Sequence, residues 1–566
     1  MSSPLSAARR AFLGQFSALG VGSTLLPGIL WAQASQGQEI TAAGIAAAAE
    51  LAGLSFTDEE REQMLAAVRR QSAQIRALHQ VPLANSTAPA LHFNPLPRPE
   101  ALPSGPQRPI VVSRRAERRA PAVLEDLAFE PVTVLAELLR RRAVTSVQLT
   151  QMYLGRLKRL DSQLLCVTTL LEDRAMAQAR AADAEIARGN YRGPLHGIPW
   201  GAKDLLAVRG APTTWGTPPF REQQFAEDAT VVQRLDAAGA VLIAKLTLGE
   251  LAMGDRWYGG MTRNPWKLDQ GSSGSSAGSA SATAAGCVGF AIGSETLGSI
   301  SSPSTRCGAT GLRPTFGRVP RTGAMALSWS MDKLGPITRS VEDCALVLAA
   351  IHGPDGRDLT THAAPFNWDG NAGIRGLRVA FVKSAFDASA ARGGIGAFDT
   401  AALEALRGLG VELVPVEVPE AAYDAMRIIL DCEAAAAFDE FTRSGKVHEM
   451  AQQTPNAWPT LFRRAHLIPA ADYINANRVR TLAMQDWDRL MRDIDVIVAP
   501  TSSSQLLATN LTGHPAVILP HGFRETDGTP VSITFLGKLF GEEAMLRVAQ
   551  AYQQASGHHL KHPSLT

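Results

Sequence analysis

The chain has 566 residues, enough for several average domains or for one large enzyme domain. Its 55 Lys and Arg residues nearly balance its 53 Asp and Glu residues, so it lacks the charge excess that a nucleic-acid partner requires. A hydrophobic content of 45% is typical of a globular protein with a sizeable core.

The start of the chain has the pattern of an export signal. Arg9 and Arg10 open an uncharged, mostly apolar run that extends to Trp31, and the tripeptide AQA follows at 32–34. This pattern resembles a twin-arginine signal, which exports a folded protein. We expect cleavage before Ser35, a periplasmic or secreted mature protein, and no stable membrane insertion after cleavage. An uncleaved membrane anchor is the alternative, although Gly and Pro residues make the run a mediocre transmembrane helix.

Residues 39–79 are predicted to be helical, because apolar residues recur there at helical spacing. Thr57 and Glu60 have the spacing of a helix-capping sequence. Residues 48–60 (AAELAGLSFTDEE) resemble the small C subunit of bacterial amidotransferases, which wraps around a partner of the amidase fold. Because this segment is covalently joined to the rest of the chain, we interpret it as a packing element without a catalytic role.

Residues 83–121 are rich in proline and carry a short basic run, so we expect an irregular connecting segment with a solvated surface. The run consists of Arg114, Arg115, Arg118 and Arg119.

From Leu124 onward, helices and strands alternate. We expect Ser146 to cap one helix and Ser340 to cap another over 341–351. Three short, continuous apolar runs have the form of buried strands: 240–244, 379–382 and 495–501. The interleaving predicts an α/β fold with a largely buried sheet.

Three blocks supply residue types suited to nucleophilic catalysis. Lys203 closes 197–204 (GIPWGAKD), while Ser275 and Ser299 stand in GSSAGSA and GSETLGSI. A serine hydroxyl becomes a strong nucleophile only when a nearby base takes its proton. A lysine can be that base where its surroundings keep it neutral. Apolar residues interrupt the Gly-rich stretch at 271–323, which favours folded tight turns over a flexible linker.

The order of these blocks resembles the amidase signature family, in which a Gly-Ser block, a short strand and a second serine follow one another. The two serines here are 24 residues apart, which matches the family. Three further blocks follow in the family's order: 311–318 (GLRPTFGR), 335–343 (GPITRSVED) and 510–516 (NLTGHPA).

The resemblance covers Leu124 to the C-terminus and implies one large domain with a mixed β-sheet flanked by helices. We therefore divide the chain into four parts: an export signal at 1–34, a helical extension at 35–82, a connecting segment at 83–123 and an amidase signature domain at 124–566.

The resemblance also implies a Ser–cis-Ser–Lys triad, with Ser299 as nucleophile, Ser275 as relay and Lys203 as general base. The bond between Gly274 and Ser275 is the candidate cis peptide. Four backbone N–H groups are expected to face the developing oxyanion: those of Thr296, Leu297, Gly298 and Ser299.

Three positions depart from the family's pattern. Leu297 stands where glycine is more common and is expected to reshape the acyl pocket. Ser301 replaces the usual arginine, so a structural ion pair or polar brace is expected to be missing. Glu295 replaces an aspartate and keeps the charge.

Other assignments of the serine motifs are weaker. Ser272 as the relay would lie 27 residues before Ser299, which is too far for the family. Ser276 fits the G-x-S-x-G nucleophile elbow, but a polar stretch precedes it where that motif needs a hydrophobic strand. The S-x-x-K match at 330–333 lacks the motifs that accompany it in penicillin-binding proteins.

We expect no metal and no cofactor. His558, His559 and His562 lie in a terminal tail, which we interpret as surface rather than a metal site. The five cysteines lack metal-ligand spacing and are interpreted as mostly buried, with one disulfide left open because of the export signal.

The expected function is a cofactor-free amidase that converts a small-molecule carboxylic amide to an acid and an amine or ammonia through an acyl-enzyme. Three alternatives stay open: an ester hydrolase with the same triad, a catalytically silent binding protein, or an amidotransferase-like subunit. The export signal argues against the last of these, because aminoacyl-tRNA is cytosolic. The substrate and the oligomeric state, including a homo-oligomer, are left undetermined.

Overall fold

The apolar runs of the sequence pair as strands of one large sheet. The computed structural model of the protein describes residues 40–51, 54–81, 93–98, 100, 102–114, 118–391 and 393–565. Its strands are β1 (Val167–Leu170), β2 (Pro199–Lys203), β3 (Val241–Leu246), β4 (Arg256–Trp257), β5 (Gly260–Met261), β6 (Arg263–Asn264), β7 (Lys267–Gly271), β8 (Phe290–Glu295), β9 (Thr310–Arg313), β10 (Lys333–Thr338), β11 (Val379–Val382), β12 (Leu413–Val416), β13 (Val496–Pro500), β14 (Ala516–Phe523) and β15 (Pro530–Gly537).

The α-helices are α1 (Ala42–Leu51), α2 (Asp58–His79), α3 (Val132–Arg140), α4 (Ser146–Leu164), α5 (Glu172–Ala187), α6 (Thr230–Ala237), α7 (Ala277–Ala284), α8 (Ser301–Cys307), α9 (Val341–Ile351), α10 (Lys383–Ala391), α11 (Ile395–Gly408), α12 (Ile428–Ala437), α13 (Asp439–Arg443), α14 (Trp458–Ala465), α15 (Ala470–Met491), α16 (Gln505–Thr512) and α17 (Glu542–Ser556).

In the described part of the chain, eleven strands form a sheet in the order β1-β3-β2-β8-β10-β9-β14-β15-β13-β11-β12. Strand β2 runs parallel to β3 and β8, and β11 runs parallel to β12 and β13, while the other neighbours are antiparallel. The predicted mixed α/β fold with a large sheet flanked by helices is confirmed. Strands β2, β3 and β8 are buried along their whole length, as expected for a sheet covered on both faces.

Local sequence signals account for several helix starts. The Thr57 hydroxyl and the Glu60 carboxylate form a reciprocal capping box at α2, and Ser340 caps α9, both as predicted. The prediction for Ser146 was wrong, because Thr145 caps α4. Ser146 instead donates from its hydroxyl to the carbonyl of Gly197 at 2.8 Å.

The described residues divide into two compact units. One combines those within Met1–Leu91 with Ala421–Leu482, and in it Leu467 packs against the apolar face of α1 and α2, which includes Met64 and Val68. The other comprises those within His92–Glu420 together with Ala483–Thr566 and contains the sheet. The domain boundaries inferred from the sequence instead place 421–482 in the amidase domain. Those boundaries divide the chain into contiguous segments, and contacts between helices far apart in sequence cannot be read from such a division.

The predicted export signal lies outside the described residues, as does Arg115 of the basic run. Its other three arginines, Arg114, Arg118 and Arg119, are exposed. None of the helices within the described ranges is both long and apolar enough to cross a bilayer.

Candidate active site

Lys203 ends strand β2 with a fully buried side chain whose nearest polar neighbours are hydroxyl groups. Its Nζ lies 2.8 Å from the Oγ atoms of both Ser275 and Ser294, and 3.1 Å from the Oγ of Ser276. No carboxylate of the described residues forms an ion pair with Lys203. Buried Lys245 on β3 differs, because its Nζ lies 2.6 Å from Asp204.

Burial lowers the pKa of Lys203 well below its ordinary value of 10.5, and the more distant charges of Asp332 and Glu295 oppose this shift only partly. Deprotonation of the amine leaves a lone pair that can accept a proton from a neighbouring hydroxyl. The surroundings of Lys203 therefore suit a general base.

Ser275 is fully buried and follows a cis peptide bond from Gly274, as the resemblance implied. A Cβ atom on Gly274 would lie 1.8 Å from the carbonyl oxygen of Gly254. No larger residue fits at this point without a shift of the neighbouring backbone, so glycine is required by the close approach of two backbone segments.

Ser299 lies between β8 and α8, with 9% of its surface exposed. Its carbonyl oxygen accepts a hydrogen bond from the backbone N–H of Ser276 at 3.0 Å, which holds it beside the relay block. Among the described residues its Oγ has no hydrogen-bond partner. The structure thus joins Lys203 to Ser275 and brings Ser299 next to them, but the link between Ser299 and Ser275 is not made.

The backbone between β8 and α8 presents consecutive N–H donors. Within the described residues, none of the N–H groups at 296–299 has a hydrogen-bond acceptor. Gly298 has a φ of 86°, a left-handed conformation that favours glycine, and this turn allows neighbouring donors to face one point. The side chain of Leu297 is half-buried and leaves its own N–H available. The segment therefore offers the consecutive backbone N–H donors that an oxyanion hole requires.

The carboxylate of Glu295 holds the C-terminal end of this segment. Its Oε2 accepts hydrogen bonds from the N–H of Ile300 at 2.9 Å and from the N–H and hydroxyl of Ser301, both at 2.8 Å. Its Oε1 accepts from Arg313 and Asn510, both at 2.8 Å. Ser301 carries no cation, but its hydroxyl and the guanidinium of Arg313 on β9 both bind the Glu295 carboxylate, so this carboxylate is paired.

Burial tends to raise the pKa of Glu295, but Arg313, Lys333 and the N–H of Ser301 outweigh it and lower that pKa to about 2. The carboxylate stays ionised at neutral pH. Because its pKa is lowered from 4.5, the stability it contributes is present above pH 4.5 and is lost as the pH falls towards 2.

Sequence reasoning assigned no role to Ser294 and considered Ser276 only as the nucleophile of another motif. Both contact the amine of Lys203, and the hydroxyl of Ser276 also donates to the carbonyl of Ser294 at 3.1 Å. The available signal was their position inside the two serine blocks. Proximity to Lys203 could not be inferred, because it depends on the pairing of β2 with β8.

The competing motifs are arranged differently. Ser272 donates from its hydroxyl to the carbonyl of Ser273 at 2.8 Å and does not contact Lys203. The strand before Ser276, β7, pairs with β6 outside the large sheet, so the strand-to-helix geometry of a nucleophile elbow is absent here. Lys333 lies 2.9 Å from the side-chain oxygen of Asn510.

The cysteines and the C-terminal histidines lie apart from this site. All five cysteines are free thiols, and four of them are buried. The ring of His562 stacks on Phe129 with centroids 4.0 Å apart. No cluster of three or more His, Cys, Asp or Glu side chains within the described ranges could hold a metal ion.

Replacing Ser275 by alanine is expected to lower kcat by about 10²–10⁴-fold, since a positioned proton-transfer group contributes about that much. Ser272→Ala is the matched control, a buried serine of the same block without contact to Lys203. Steady-state amide hydrolysis by the two variants decides between the two possible relays. A larger loss in Ser272→Ala would contradict the assignment.

Known proteins share both the sequence and the fold. A family model described as Amidase matches residues 148–508. The A subunit of the glutamyl-tRNA(Gln) amidotransferase of Chloroflexus aggregans is 34% identical over 488 residues, which cover 78% of this chain and 99% of that relative. The peptide amidase of Stenotrophomonas maltophilia is 30% identical, with a TM-score of 0.67 over 76% of this chain and 98% of that one. The 6-aminohexanoate cyclic dimer hydrolase is 22% identical with a TM-score of 0.67, which supports a similar fold alone.

Proposed function

The chain belongs to the amidase family, and from this premise we propose that it hydrolyses linear carboxylic amides to an acid and an amine or ammonia, with Ser299 as the nucleophile. One observation carries the proposal. Within the described ranges, a buried lysine that pairs with no carboxylate contacts a relay hydroxyl beside four backbone N–H groups that have no acceptor.

In the proposed reaction, the Oγ of Ser299 attacks the amide carbon. Ser275 takes the proton from that Oγ and passes its own to the Nζ of Lys203. The N–H groups at 296–299 bind the oxyanion, and one well-placed donor of this kind is worth about 3–4 kcal/mol. Ser276 and Ser294 orient the amine.

The proton then returns through Ser275 to the leaving nitrogen, so that the C–N bond breaks and the acyl-enzyme remains. Water attacks the ester and gives its proton to the same path, which releases the acid and restores Ser299. Catalytic hydrogen bonds of unliganded enzymes are often long and tighten on substrate binding, and we assign the missing link between Ser299 and Ser275 to that step.

The test combines turnover with trapping of the intermediate. The isolated chain is incubated with aliphatic, aromatic and peptide amides and with matched esters, and the acid product is measured. Hydroxylamine is expected to divert the acyl group to a hydroxamate, and a fluorophosphonate is expected to modify the peptide that contains Ser299. Absence of both hydrolysis and labelling would reject the proposal, whereas turnover of esters alone would favour the esterase alternative.

A second candidate is one component of an amidotransferase complex. It is favoured by the relatives named as the A subunit of a glutamyl-tRNA(Gln) amidotransferase and by the C-subunit-like sequence at 48–60. Such a component acts with partner proteins, so full activity of the isolated chain on simple amides would exclude it.

We further propose that the chain is exported, which its twin-arginine-like start supports. The mature protein is expected to begin near Ser35. N-terminal sequencing of material from the periplasm or the medium tests this, and retention of Met1 would overturn it.

A further inference from the structure

A cavity of about 220 Å³ opens beside the segment that carries the proposed oxyanion hole. Ser294, whose hydroxyl contacts Lys203, and Thr296, which begins the run of free N–H donors, both line it. A group that fills this cavity therefore lies next to the reacting centre. The other residues that line the cavity have no role in the proposed catalytic steps.

Those walls are mostly apolar. They include Leu205, Ala252, Met325, Ala326, Leu327 and Leu334. Each of them except Ala326 is buried, so the protein shields most of this wall from bulk water. Burying apolar surface here would stabilise a bound apolar group by about 25 cal/mol per Å².

Asp332 is the first of two carboxylates at the wall, and its charge is already satisfied by the protein. Its Oδ1 accepts a hydrogen bond from the hydroxyl of Thr296 at 2.5 Å. Its Oδ2 accepts from the N–H groups of Leu327 at 2.8 Å and Ser328 at 2.9 Å. Burial raises the pKa of Asp332 against these hydrogen bonds. This carboxylate therefore has little capacity to bind a cationic substrate.

Asp358 is the second carboxylate, and it is paired within the protein. Its Oδ2 accepts from the Nε of Arg321 at 3.1 Å, and its Oδ1 accepts from the hydroxyl of Thr360 at 2.6 Å. Arg321 also donates a hydrogen bond from Nη1 to the backbone carbonyl of Trp329 at 2.8 Å. The guanidinium and the carboxylate neutralise each other, so neither is available as an unpaired charge for a ligand.

Trp329 marks the point where the cavity meets solvent, because it lines the cavity while half of its surface, 50%, is exposed. Aromatic side chains commonly line ligand pockets, so Trp329 is suited to contact a bound apolar group. It lines the cavity together with Ala326 and Leu327.

Building on the proposed amidase activity, we propose that this cavity binds an uncharged, apolar group of the substrate, so that the preferred substrates are amides carrying an aryl or branched alkyl group. An engineered apolar cavity of about 150 Å³ binds benzene, so the present cavity accepts a group somewhat larger than an unsubstituted phenyl ring. Ala326 and Trp329 determine the size and shape of the group that is accepted.

The first experiment compares amides that differ only in the group offered to the cavity. One series varies the acyl side, from acetamide to phenylacetamide and 4-carboxyphenylacetamide, and a second varies the amine side with N-benzyl and N-(4-carboxybenzyl) acetamide. In at least one series, kcat/KM is expected to be about 30-fold or more higher for the aryl amide than for its charged counterpart, because an unpaired charge is costly to bury. Equal or higher values for the charged amides in both series would overturn the proposal.

The second experiment changes the cavity itself. Ala326→Phe fills it, and we expect the ratio of kcat/KM for the preferred aryl amide to that for acetamide to fall at least tenfold through KM. Trp329→Ala removes the apolar mouth at an exposed position that tolerates substitution, and is expected to lower the same ratio. Ala350→Phe is the matched control, since Ala350 on α9 is also half-buried but lines a different cavity.

The proposal would be overturned if Ala326→Phe and Trp329→Ala both left the ratio of kcat/KM for the aryl amide to that for acetamide unchanged. Failure of the proposed amidase activity would look different, because the wild-type chain would then hydrolyse none of the tested amides and would not react with a fluorophosphonate at Ser299.

Discussion

Replacing Ser299 by alanine is expected to reduce amide turnover to the uncatalysed background while leaving the fold intact. Without the hydroxyl no acyl-enzyme forms, and removal of a catalytic serine nucleophile costs on the order of 10⁶ in kcat. The side chain is small and its Oγ has no hydrogen-bond partner among the described residues, so the substitution leaves no buried group unpaired. Product release in single- and multiple-turnover assays measures the loss, and circular dichroism verifies folding.

Ser304→Ala is the control for this variant. Ser304 lies on α8, five residues after Ser299, and its buried hydroxyl has no hydrogen-bond partner in the part of the chain that the structure describes. Its removal should therefore change neither activity nor stability appreciably. Wild-type-like hydrolysis by Ser299→Ala, or an equal loss in both variants, would show that the nucleophile has been misassigned.

Replacing Lys203 by alanine is expected to lower kcat by about 10²–10⁴-fold at neutral pH, the usual contribution of a general base. The expected loss is specific to proton transfer, because the nucleophile and the oxyanion hole stay in place. The vacated space lies beside the Ser275 hydroxyl, so added methylamine is expected to restore part of the rate. Exposed Lys158 provides the control variant Lys158→Ala. Full activity of Lys203→Ala would point to another base.

The pH dependence gives an independent test of the same lysine. Burial lowers the pKa of Lys203 well below 10.5, so kcat/KM should rise as the pH passes through that lowered pKa, at a lower pH than an exposed lysine would require. Between the lowered pKa and 10.5 the unfolded chain binds one more proton at this site than the folded chain. Stability due to this group therefore rises with pH in that window and is lost as the pH falls through it.

Denaturant unfolding of the wild type and of Lys203→Met across this pH range measures the linkage. As the pH rises through the window, the free energy of unfolding of the wild type should increase relative to that of Lys203→Met by about 1.4 kcal/mol for each pH unit. A difference independent of pH would mean that Lys203 has an ordinary pKa in the folded protein.

The family and the outline of the site were accessible from the sequence, because the relevant signals are local. Blocks such as GIPWGAKD and GSSAGSA keep their order, and the bond between Gly274 and Ser275 was the candidate cis peptide that the structure contains. The capping residues Thr57 and Ser340 act over three positions. Thr145 and Ser146 show the limit of such signals, since both are good caps and only the structure identifies the one that caps α4.

The tertiary structure decided which distant groups meet. Ser294 and Lys203 are 91 positions apart and touch because β8 lies beside β2 in the sheet. Arg313 pairs with Glu295 across 18 positions through the placement of β9. A composition or spacing rule carries no information about such pairs, because strand order depends on the packing of the whole sheet. The sequence by itself therefore determined the family, the local turns and the chemical types at the site, whereas the electrostatic support of Glu295, the burial of Lys203 and the apolar cavity arise only when the sheet is assembled.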